Sequence, residues 1–192
     1  VSVLGLVPDM SKIVEVCNKH SIILLEDVCE SMGSKYEDKN LGTFGLMSSF
    51  STFFGHHIST IEGGFISTDD KALYEVLKSL RSHGWDRDND TETQKNLRSK
   101  WDVDNFNALY TFYSPGFNLR STDLQAFIGL SQIDKLENIC ELRNKNYEYY
   151  HRHLASSIWK PEMRQGDFSS NFAYPIIHEK RDSIVRALQS EN

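Results

Sequence analysis

A short apolar run at 22–25 constrains the fold of this chain more than any other stretch. The run reads IILL, is flanked by polar residues, and is followed directly by Glu26 and Asp27. Such a run is typical of a strand buried on both faces of a parallel sheet, and we predict one over 21–25. Ligands of open α/β sheets bind at the carboxyl ends of the strands. The sequence therefore places two acids where a ligand is expected.

Strands and helices alternate after this run. Further strands are predicted over 49–53 and 63–68, and a short hairpin is predicted in KYEDKNLGTFG. Helices are predicted to begin at the capping residues Asp9 and Asp70, the second running to about Arg81. The inner face of that second helix would carry Leu73, Val76, Leu77 and Leu80. This alternation predicts an α/β domain.

The middle of the chain carries weaker patterns. Residues 86–107 are polar and show no clear period, which predicts a loop or a poorly ordered insertion. The stretch TFYSPGFNLR that follows has hairpin character around Pro115 and Gly116. Two connecting segments are therefore expected between the second helix and the next one.

A long helix dominates the predicted carboxyl-terminal part. It should begin at Ser121 or Thr122, end near Leu154, and bury a stripe of apolar residues at helical spacing (Leu124, Phe127, Ile128, Leu130, Ile133, Leu136, Ile139, Leu142 and Tyr149). A turn at Gly166 and a strand candidate, NFAYPII, follow it. We expect 1–154 to be part of a large domain and 155–192 to begin a smaller one. Because the chain opens on Val1 and stops inside a helical pattern, we expect it to be a piece of a longer protein.

Composition excludes several function classes. The formal net charge of −6 gives the chain no reason to bind nucleic acid or anionic lipid, and no apolar run is long enough to span a membrane. No signal peptide opens the sequence. The three cysteines, Cys17, Cys29 and Cys140, are odd in number and far apart, which indicates a reducing compartment and offers no spacing for zinc or an iron–sulfur centre. We therefore expect a cytoplasmic protein without a metal site.

Three segments together resemble a known family. They are EDVCESMGSKYEDKNLGTFG, SSFSTFFGHHISTIEGGFISTDD and SPGFNLRSTDLQAFIGLSQIDKL. In order and spacing they are similar to the vitamin B6-dependent sugar aminotransferases of the StrS/DegT type, over roughly 5–153. The resemblance implies the aspartate-aminotransferase-like (type I) fold, with part of its cofactor-binding large domain and the start of its small domain. It also implies pyridoxal or pyridoxamine 5′-phosphate as cofactor.

One departure from the family pattern decides the expected chemistry. The aminotransferases of this family carry a pattern similar to F-S-F-x-x-x-K before an acidic Gly-Gly turn. This chain reads F-S-T-F-F-G-H in the same frame, so His56 takes the place of the lysine. An amine there would hold the cofactor covalently, but an imidazole cannot and can still act as a general base. Within the family, the histidine implies a nucleotide-sugar 3-dehydratase of the type that removes the 3-hydroxyl of GDP-linked 4-keto-6-deoxymannose. Glutamate would supply the amino group, in deoxysugar synthesis for surface polysaccharides.

Other functions stay open at this point. A nucleotide-sugar aminotransferase and a dehydratase for the CDP-linked sugar belong to the same family, and the second carries an iron–sulfur cluster. A catalytically silent member that only binds or scaffolds is the alternative outside enzymes. Retention of Asp27, Ser51 and His56 argues against a silent protein.

The resemblance also assigns cofactor contacts. Asp27 would hold the proton on the pyridine nitrogen, Glu30 would meet the ring hydroxyl, and Ser51 would bind the phosphate. By residue type alone these could equally be a helix cap, a solvated charge and an ordinary strand serine. The adjacent His57 is interpreted as a packing or surface residue.

A second group of contacts would cross a dimer interface. Asn118 and Arg120 lie in the stretch that, in this family, reaches the cofactor phosphate of the neighbouring subunit. The alternatives are a turn asparagine and a surface arginine. The resemblance therefore implies a homodimer with shared active sites, acting on a nucleotide-linked 4-keto-6-deoxy sugar.

Overall fold

Two units make up the part of the chain that the computed structural model describes, residues 1–156 and 158–191. The first unit contains residues 1–66 and 127–192, and the second contains residues 67–126. The elements in chain order are α1 (Met10–Lys19), β1 (Leu25–Asp27), β2 (Lys35–Tyr36), β3 (Lys39–Asn40), β4 (Met47–Ser51), β5 (Gly64–Ser67), α2 (Lys71–Leu80), α3 (Thr91–Lys100), α4 (Asp123–Ile133), α5 (Leu136–His153) and α6 (Arg181–Ser190). Helices and strands alternate, as the sequence predicts.

A three-stranded sheet in the order β1-β4-β5 organises the first unit. Strands β1 and β4 run parallel with Leu25 opposite Met47 and Asp27 opposite Ser49. The predicted hairpin is present as β2 and β3, which pair antiparallel around Glu37 and Asp38. Both turn residues have positive φ, as a tight hairpin turn requires.

The predicted strand over 21–25 is wrong in position and in burial. Helix α1, capped by the Asp9 carboxylate on the Lys12 N–H as predicted, ends in a left-handed turn at Ser21, and the strand begins only at Leu25. Ile22 and Ile23 are 56% and 69% exposed, because among the described residues β1 has a paired neighbour on one side alone. The apolar run thus lies mostly before the strand and is not covered on both faces.

The core of the first unit forms around α1 and the β2–β3 hairpin. Met10, Val28, Tyr36 and Leu41 are its buried members, and five partly buried residues pack against them (Val7, Ile13, Leu24, Phe44 and Phe50). Glu26 is buried beside this cluster, and its carboxylate accepts hydrogen bonds from the N–H groups of Gly42, Phe44 and Gly45 at 2.6–2.8 Å. One carboxylate therefore holds the whole turn that leads into β4.

Replacing Glu26 by glutamine is expected to destabilise the full-length protein by about 2 kcal/mol, because an amide cannot accept from all three backbone donors and leaves at least one unpaired. The measurement is denaturant unfolding of both proteins, with Glu15→Gln on the exposed face of α1 as the matched control. Equal unfolding free energies for the Glu26 variant and the control would contradict this role.

The second unit corrects the prediction for 86–107. That stretch contains helix α3, whose first turn is capped by the Asp90 carboxylate on the Thr93 N–H at 2.8 Å. The helix has almost no apolar face, so hydrophobic periodicity could not reveal it. Its start is fixed instead by Glu75 of α2, which accepts hydrogen bonds from the Asn89 side chain and the Asp90 N–H. Asp70 caps α2 as predicted, but Val76 is 52% exposed rather than inward.

The predicted hairpin around Pro115 and Gly116 is also wrong. Within the described residues, this stretch does not pair with itself but runs back along the end of α2. The Phe117 N–H donates to the Leu80 carbonyl at 2.7 Å, and Asn118 forms an antiparallel bridge with Ser82. The glycine at 116 is required here, since a Cβ would lie 2.4 Å from the backbone of His83.

The predicted long helix is broken into two. Helix α4 ends at Ile133 and α5 begins at Leu136, with a turn between them closed by the Lys135 N–H on the Gln132 carbonyl. Leu124, Phe127 and Leu130 on α4 are 66–72% exposed, so the predicted stripe is not buried over α4.

NFAYPII does not form a strand. Pro175 within it has no N–H for a ladder, and the segment contributes one isolated bridge, Trp159 with Ile177. No helix in the described residues has the length and apolar character needed to cross a membrane.

Candidate active site

Two parallel strands bring Asp27 and Ser51 to the same edge of the sheet. Strand β1 ends at Asp27, β4 ends at Ser51, and Asp27 lies opposite Ser49 in the register. The Ser51 hydroxyl accepts a hydrogen bond from the Phe53 N–H at 3.2 Å, which turns the chain as it leaves the strand. Of the two acids expected at this edge, Asp27 lies at the end of its strand, whereas the Glu26 carboxylate is bonded to the turn that leads into β4. Ser51, predicted inside a strand, lies at the end of β4.

Asp27 is held in its charged form. Hydrogen bonding from Cys29, whose N–H lies 3.1 Å from Oδ1, lowers the pKa of Asp27, and Ser49 adds to the effect against the opposing cost of burial. Burial and the nearby carboxylate raise the pKa of the Cys29 thiol, which therefore stays protonated. An ionised carboxylate at this edge can stabilise a proton on a heterocyclic nitrogen.

Glu30 makes a contact within the protein that the sequence did not predict. Its Oε2 accepts a hydrogen bond from the Leu4 N–H, which ties the start of the chain to the segment after β1. Gly5 lies over the Glu30 carbonyl so closely that a Cβ would meet it at 2.7 Å. The contact between Glu30 and a ring hydroxyl stays a prediction.

A tight loop joins β4 to β5 and carries the two histidines. The Thr52 N–H donates to the Gly63 carbonyl at 3.0 Å, the Thr60 N–H donates to the Thr52 carbonyl at 2.8 Å, and the two threonine hydroxyls lie 2.6 Å apart. A Cβ on Gly63 would lie within 2.6 Å of both hydroxyls. The glycine is therefore needed for this close approach, which agrees with an architectural role for the Glu-Gly-Gly turn.

His56 stands in this loop with one nitrogen unused. Its ring lies between Phe53 and Phe172, with ring centroids 5.9 and 5.3 Å away. The side chain is half-buried, and its Nδ1 is buried without a hydrogen-bond partner among the described residues. An imidazole that is not bonded to the protein at Nδ1 keeps that nitrogen available for proton transfer, and Nδ1 of His57 is likewise without a partner among the described residues.

His57 is a buried residue with a specific contact. It is 4% exposed, and its Nε2 lies 2.8 Å from the Ser170 carbonyl oxygen, an arrangement in which Nε2–H donates. Burial lowers the pKa of His57 to about 4, so its ring is neutral at physiological pH. Of the two histidines, His57 is therefore committed to the protein interior. The described residues hold no group of three or more His, Cys, Asp or Glu placed to bind a metal ion.

The buried neutral His57 should make stability depend on pH. Its folded pKa of about 4 lies below the ordinary value of 6.5, so the unfolded chain binds the proton first as the pH falls. The stabilisation is therefore complete above pH 6.5 and is lost as the pH falls toward 4, by about 3 kcal/mol. We expect wild type and His57→Gln to differ in the slope of unfolding free energy between those pH values, measured by denaturant titration of the full-length protein. If the unfolding free energies of the two proteins changed in parallel with pH, this role of His57 would be contradicted, since all other titrating groups are common to both proteins.

Asn118 and Arg120 belong to the second unit and are both exposed. Their backbone is fixed by the bridge from Asn118 to Ser82 and by the Leu119 N–H on the Arg81 carbonyl at 2.9 Å. Asp27, Ser51 and His56 all belong to the first unit. A cofactor contact of Asn118 or Arg120 stays a prediction.

Sequence reasoning missed Ser170 and Phe172. They contact the histidine loop from 113 residues (His57 to Ser170) and 116 residues (His56 to Phe172) farther along the chain. No local pattern marks them, because Phe172 lies in NFAYPII, which reads as a strand, and Ser170 precedes it outside any catalytic motif. Only the folded chain brings them to the loop.

Known proteins similar in sequence to this chain include nucleotide-sugar 3-dehydratases. The chain is 38% identical over all its 192 residues to GDP-4-keto-6-deoxy-D-mannose 3-dehydratase of Escherichia coli O55:H7, covering 49% of that protein. It is 35% identical over 97% of its length to the Yersinia pseudotuberculosis protein of the same name, covering 47% of it. The chain spans about half the length of the curated relatives it matches.

A solved structure gives the same result for the fold. GDP-4-keto-6-deoxymannose-3-dehydratase with a trapped PLP-glutamate geminal diamine superposes with a TM-score of 0.84 at 34% identity, over 98% of this chain and 50% of that one. The predicted α/β fold of the aminotransferase type is thereby confirmed over the part described. The sequence profile of the DegT/DnrJ/EryC1/StrS aminotransferase family matches residues 1–192. The chain belongs to the DegT/DnrJ/EryC1/StrS aminotransferase family.

Proposed function

We propose that the full-length protein is a nucleotide-sugar 3-dehydratase that uses pyridoxamine 5′-phosphate, regenerated with glutamate, and acts on GDP-linked 4-keto-6-deoxymannose in the cytoplasm. The observation that carries the proposal is His56, an imidazole at the family's lysine position with its Nδ1 unbonded within the described residues. The names of the relatives support the substrate, and the PLP-glutamate adduct in the similar structure supports the cofactor and the amino donor.

The residues at the sheet edge fit such a cofactor. Asp27 is ionised and pairs in register with Ser49, and Ser51 ends the same neighbouring strand, so a protonated pyridine nitrogen and a phosphate each have a partner of suitable charge or hydrogen-bonding type. Arg120 and Asn118 would add phosphate contacts, and Glu30 would meet the ring hydroxyl. The domain division at 154, with the large domain binding the cofactor, belongs to the same proposal.

The proposed roles follow from the properties of these side chains. When bound, pyridoxamine phosphate supplies an amine that condenses with the sugar ketone and a ring that delocalises the electrons released next to it. His56 takes a proton from the carbon that bears this amine, and departure of the 3-hydroxyl as water consumes it. Asp27 keeps the ring nitrogen protonated throughout. Because no lysine at 56 is present to release the sugar by transimination, the amine nitrogen would leave with the sugar as an enamine, and water would then hydrolyse it to the deoxy keto sugar and ammonia.

Product analysis tests this function directly. The full-length protein is supplied with pyridoxal phosphate, glutamate and the GDP-linked keto sugar, and the product is measured by mass spectrometry. A dehydratase gives a sugar that has lost one oxygen atom, with one ammonia released per turnover. An aminotransferase gives a sugar whose keto oxygen is replaced by an amine, which would overturn the proposal. A silent member gives neither product, and preference for the CDP-linked sugar would overturn the assigned nucleotide.

We expect the full-length protein to be a homodimer whose active sites combine His56 of one subunit with Arg120 of the other. Mixing two inactive variants, His56→Asn and Arg120→Ala, should then restore activity to about a quarter of wild type through heterodimers with one intact site. Sedimentation of an active monomer, or no recovery in verified heterodimers, would contradict shared sites.

A further inference from the structure

A carboxyl-terminal segment crosses beneath the histidine loop. We call residues 168–172 the strap. At one end Phe168 pairs with Lys35 through two backbone hydrogen bonds of 2.8 and 3.0 Å, and at the other the Phe172 N–H donates to the Leu4 carbonyl at 2.9 Å. The strap is therefore fixed at both ends to parts of the chain far from it in sequence.

The middle of the strap is buried, and most of its backbone groups named here are hydrogen-bonded, while the Ser170 hydroxyl is without a partner among the described residues. Ser170 is 0% exposed, and its N–H donates to the Ser34 hydroxyl at 2.9 Å. Arg143 of α5 donates to the Asn171 carbonyl at 2.9 Å. The remaining backbone acceptor at this depth, the Ser170 carbonyl, accepts from Nε2 of His57.

The two adjacent histidines thus meet the strap in different ways. His57 is bonded to its backbone at Ser170, while the ring of His56 lies 5.3 Å from the ring of Phe172, two residues farther on. Any shift of the strap would move Phe172, whose ring packs against the His56 ring. A displacement of about 1 Å at a reacting group is enough to reduce turnover strongly.

We propose that His57 is a positioning residue, which fastens the strap through the Ser170 carbonyl and thereby orients the His56 imidazole through Phe172. This inference rests on the proposed function, because it assumes that His56 is the base. We do not assign the base to His57, because its ring is 4% exposed and its Nε2–H is engaged, although its Nδ1, like that of His56, has no hydrogen-bond partner among the described residues.

The charge state of the pair supports this arrangement. Burial lowers the pKa of His57, and two neighbouring groups, Arg143 and His56, lower it further. All three effects favour the neutral ring. A neutral His57 keeps a second positive charge away from His56 when that ring carries its proton. A buried donor that never titrates near neutral pH suits a positioning role better than a proton-transfer role.

Two substitutions at His57 separate its hydrogen bond from its bulk. In His57→Gln the longer amide places an N–H near the position of Nε2, whereas the shorter amide of His57→Asn cannot reach the Ser170 carbonyl. In the full-length enzyme we expect His57→Asn to lower kcat about tenfold with KM nearly unchanged, and His57→Gln to stay within about threefold of wild type. Equal losses in the two variants, or no loss in His57→Asn, would overturn the inference.

Coupling to Phe172 tests the path. Phe172→Leu should lower kcat by a similar factor, and the His57→Asn/Phe172→Leu double variant should be no slower than the slower single variant, because both act through the strap. If the reductions in kcat of the two single variants multiplied in the double variant, the proposed path from His57 through the strap to Phe172 would be overturned. If His56→Asn remains active, the proposed function fails instead, whatever the His57 variants show.

A spectroscopic readout needs neither substrate nor cofactor. In the full-length protein with labelled histidine, the ring signal of His56 is assigned by its disappearance in His56→Asn. We expect His57→Asn and Phe172→Leu to move this signal in the same direction, and His57→Gln to leave it near wild type. An unchanged His56 signal in His57→Asn would show that His57 only supports folding and would overturn the inference.

Discussion

Replacing His56 by asparagine is expected to reduce turnover about 10²–10⁴-fold while leaving cofactor affinity nearly unchanged. The asparagine is smaller than the imidazole that lies near Phe53 and Phe172, keeps a polar group there, and cannot accept a proton at neutral pH. The contacts proposed for the ring nitrogen and the phosphate lie elsewhere, on Asp27 and Ser51. The measurements are kcat by product formation and the cofactor dissociation constant by fluorescence titration of the full-length protein.

His20→Asn, at the exposed end of α1, is the matched control and should keep wild-type turnover. Loss of cofactor binding in His56→Asn would show that the imidazole holds the cofactor rather than acting as a base. Turnover within about threefold of wild type would exclude general-base catalysis by His56, since such catalysis contributes far more than that.

The parts of the fold that sequence predicted best were those with local signals. Asp9 and Asp70 cap their helices because an acid at an N-cap bonds the exposed N–H groups of the first turn, whatever the rest of the fold does. The positive φ of Glu37 and Asp38 likewise belongs to a hairpin turn set by its own few residues. Such features depend little on distant contacts.

The errors concern contacts between distant residues. Helix α3 lacks an apolar stripe and is positioned by polar bonds from Glu75, which no periodicity could show. The stretch around Gly116 is hydrogen-bonded to the end of α2 rather than paired with itself. Burial of 22–25 was expected from composition, yet it depends on neighbours that the described residues do not supply.

The candidate site shows the same division. Asp27, Ser51 and His56 could be selected because each follows a strand or interrupts a recognisable pattern. The surroundings of His56 could not, because Phe172 and Ser170 reach it only through the folding of the strap. Sequence thus supplied the candidate reactive groups, and the structure supplied the contacts around His56.

Replacing His56 by lysine should convert the cofactor from a reversibly bound ligand into a covalent one. A primary amine at this position can condense with the aldehyde of pyridoxal phosphate, as the family's lysine does, whereas the imidazole cannot. The variant should show a shifted absorbance band, and borohydride should fix the cofactor to the peptide that contains residue 56. Dehydration should be lost, because the lysine captures the cofactor and the imidazole base is gone.

The wild-type protein and His20→Lys provide the controls. His20→Lys adds an exposed lysine on α1, outside the sheet edge, and should trap no cofactor above the wild-type level. A borohydride-stable adduct in the wild-type protein would show that another lysine already holds the cofactor, and would overturn the assignment of His56 to the lysine position. Adduct formation confined to His56→Lys, together with loss of the deoxygenated product, would tie the dehydratase chemistry to this one exchange of imidazole for amine, because Asp27 and Ser51, the proposed cofactor contacts, are unchanged in the variant.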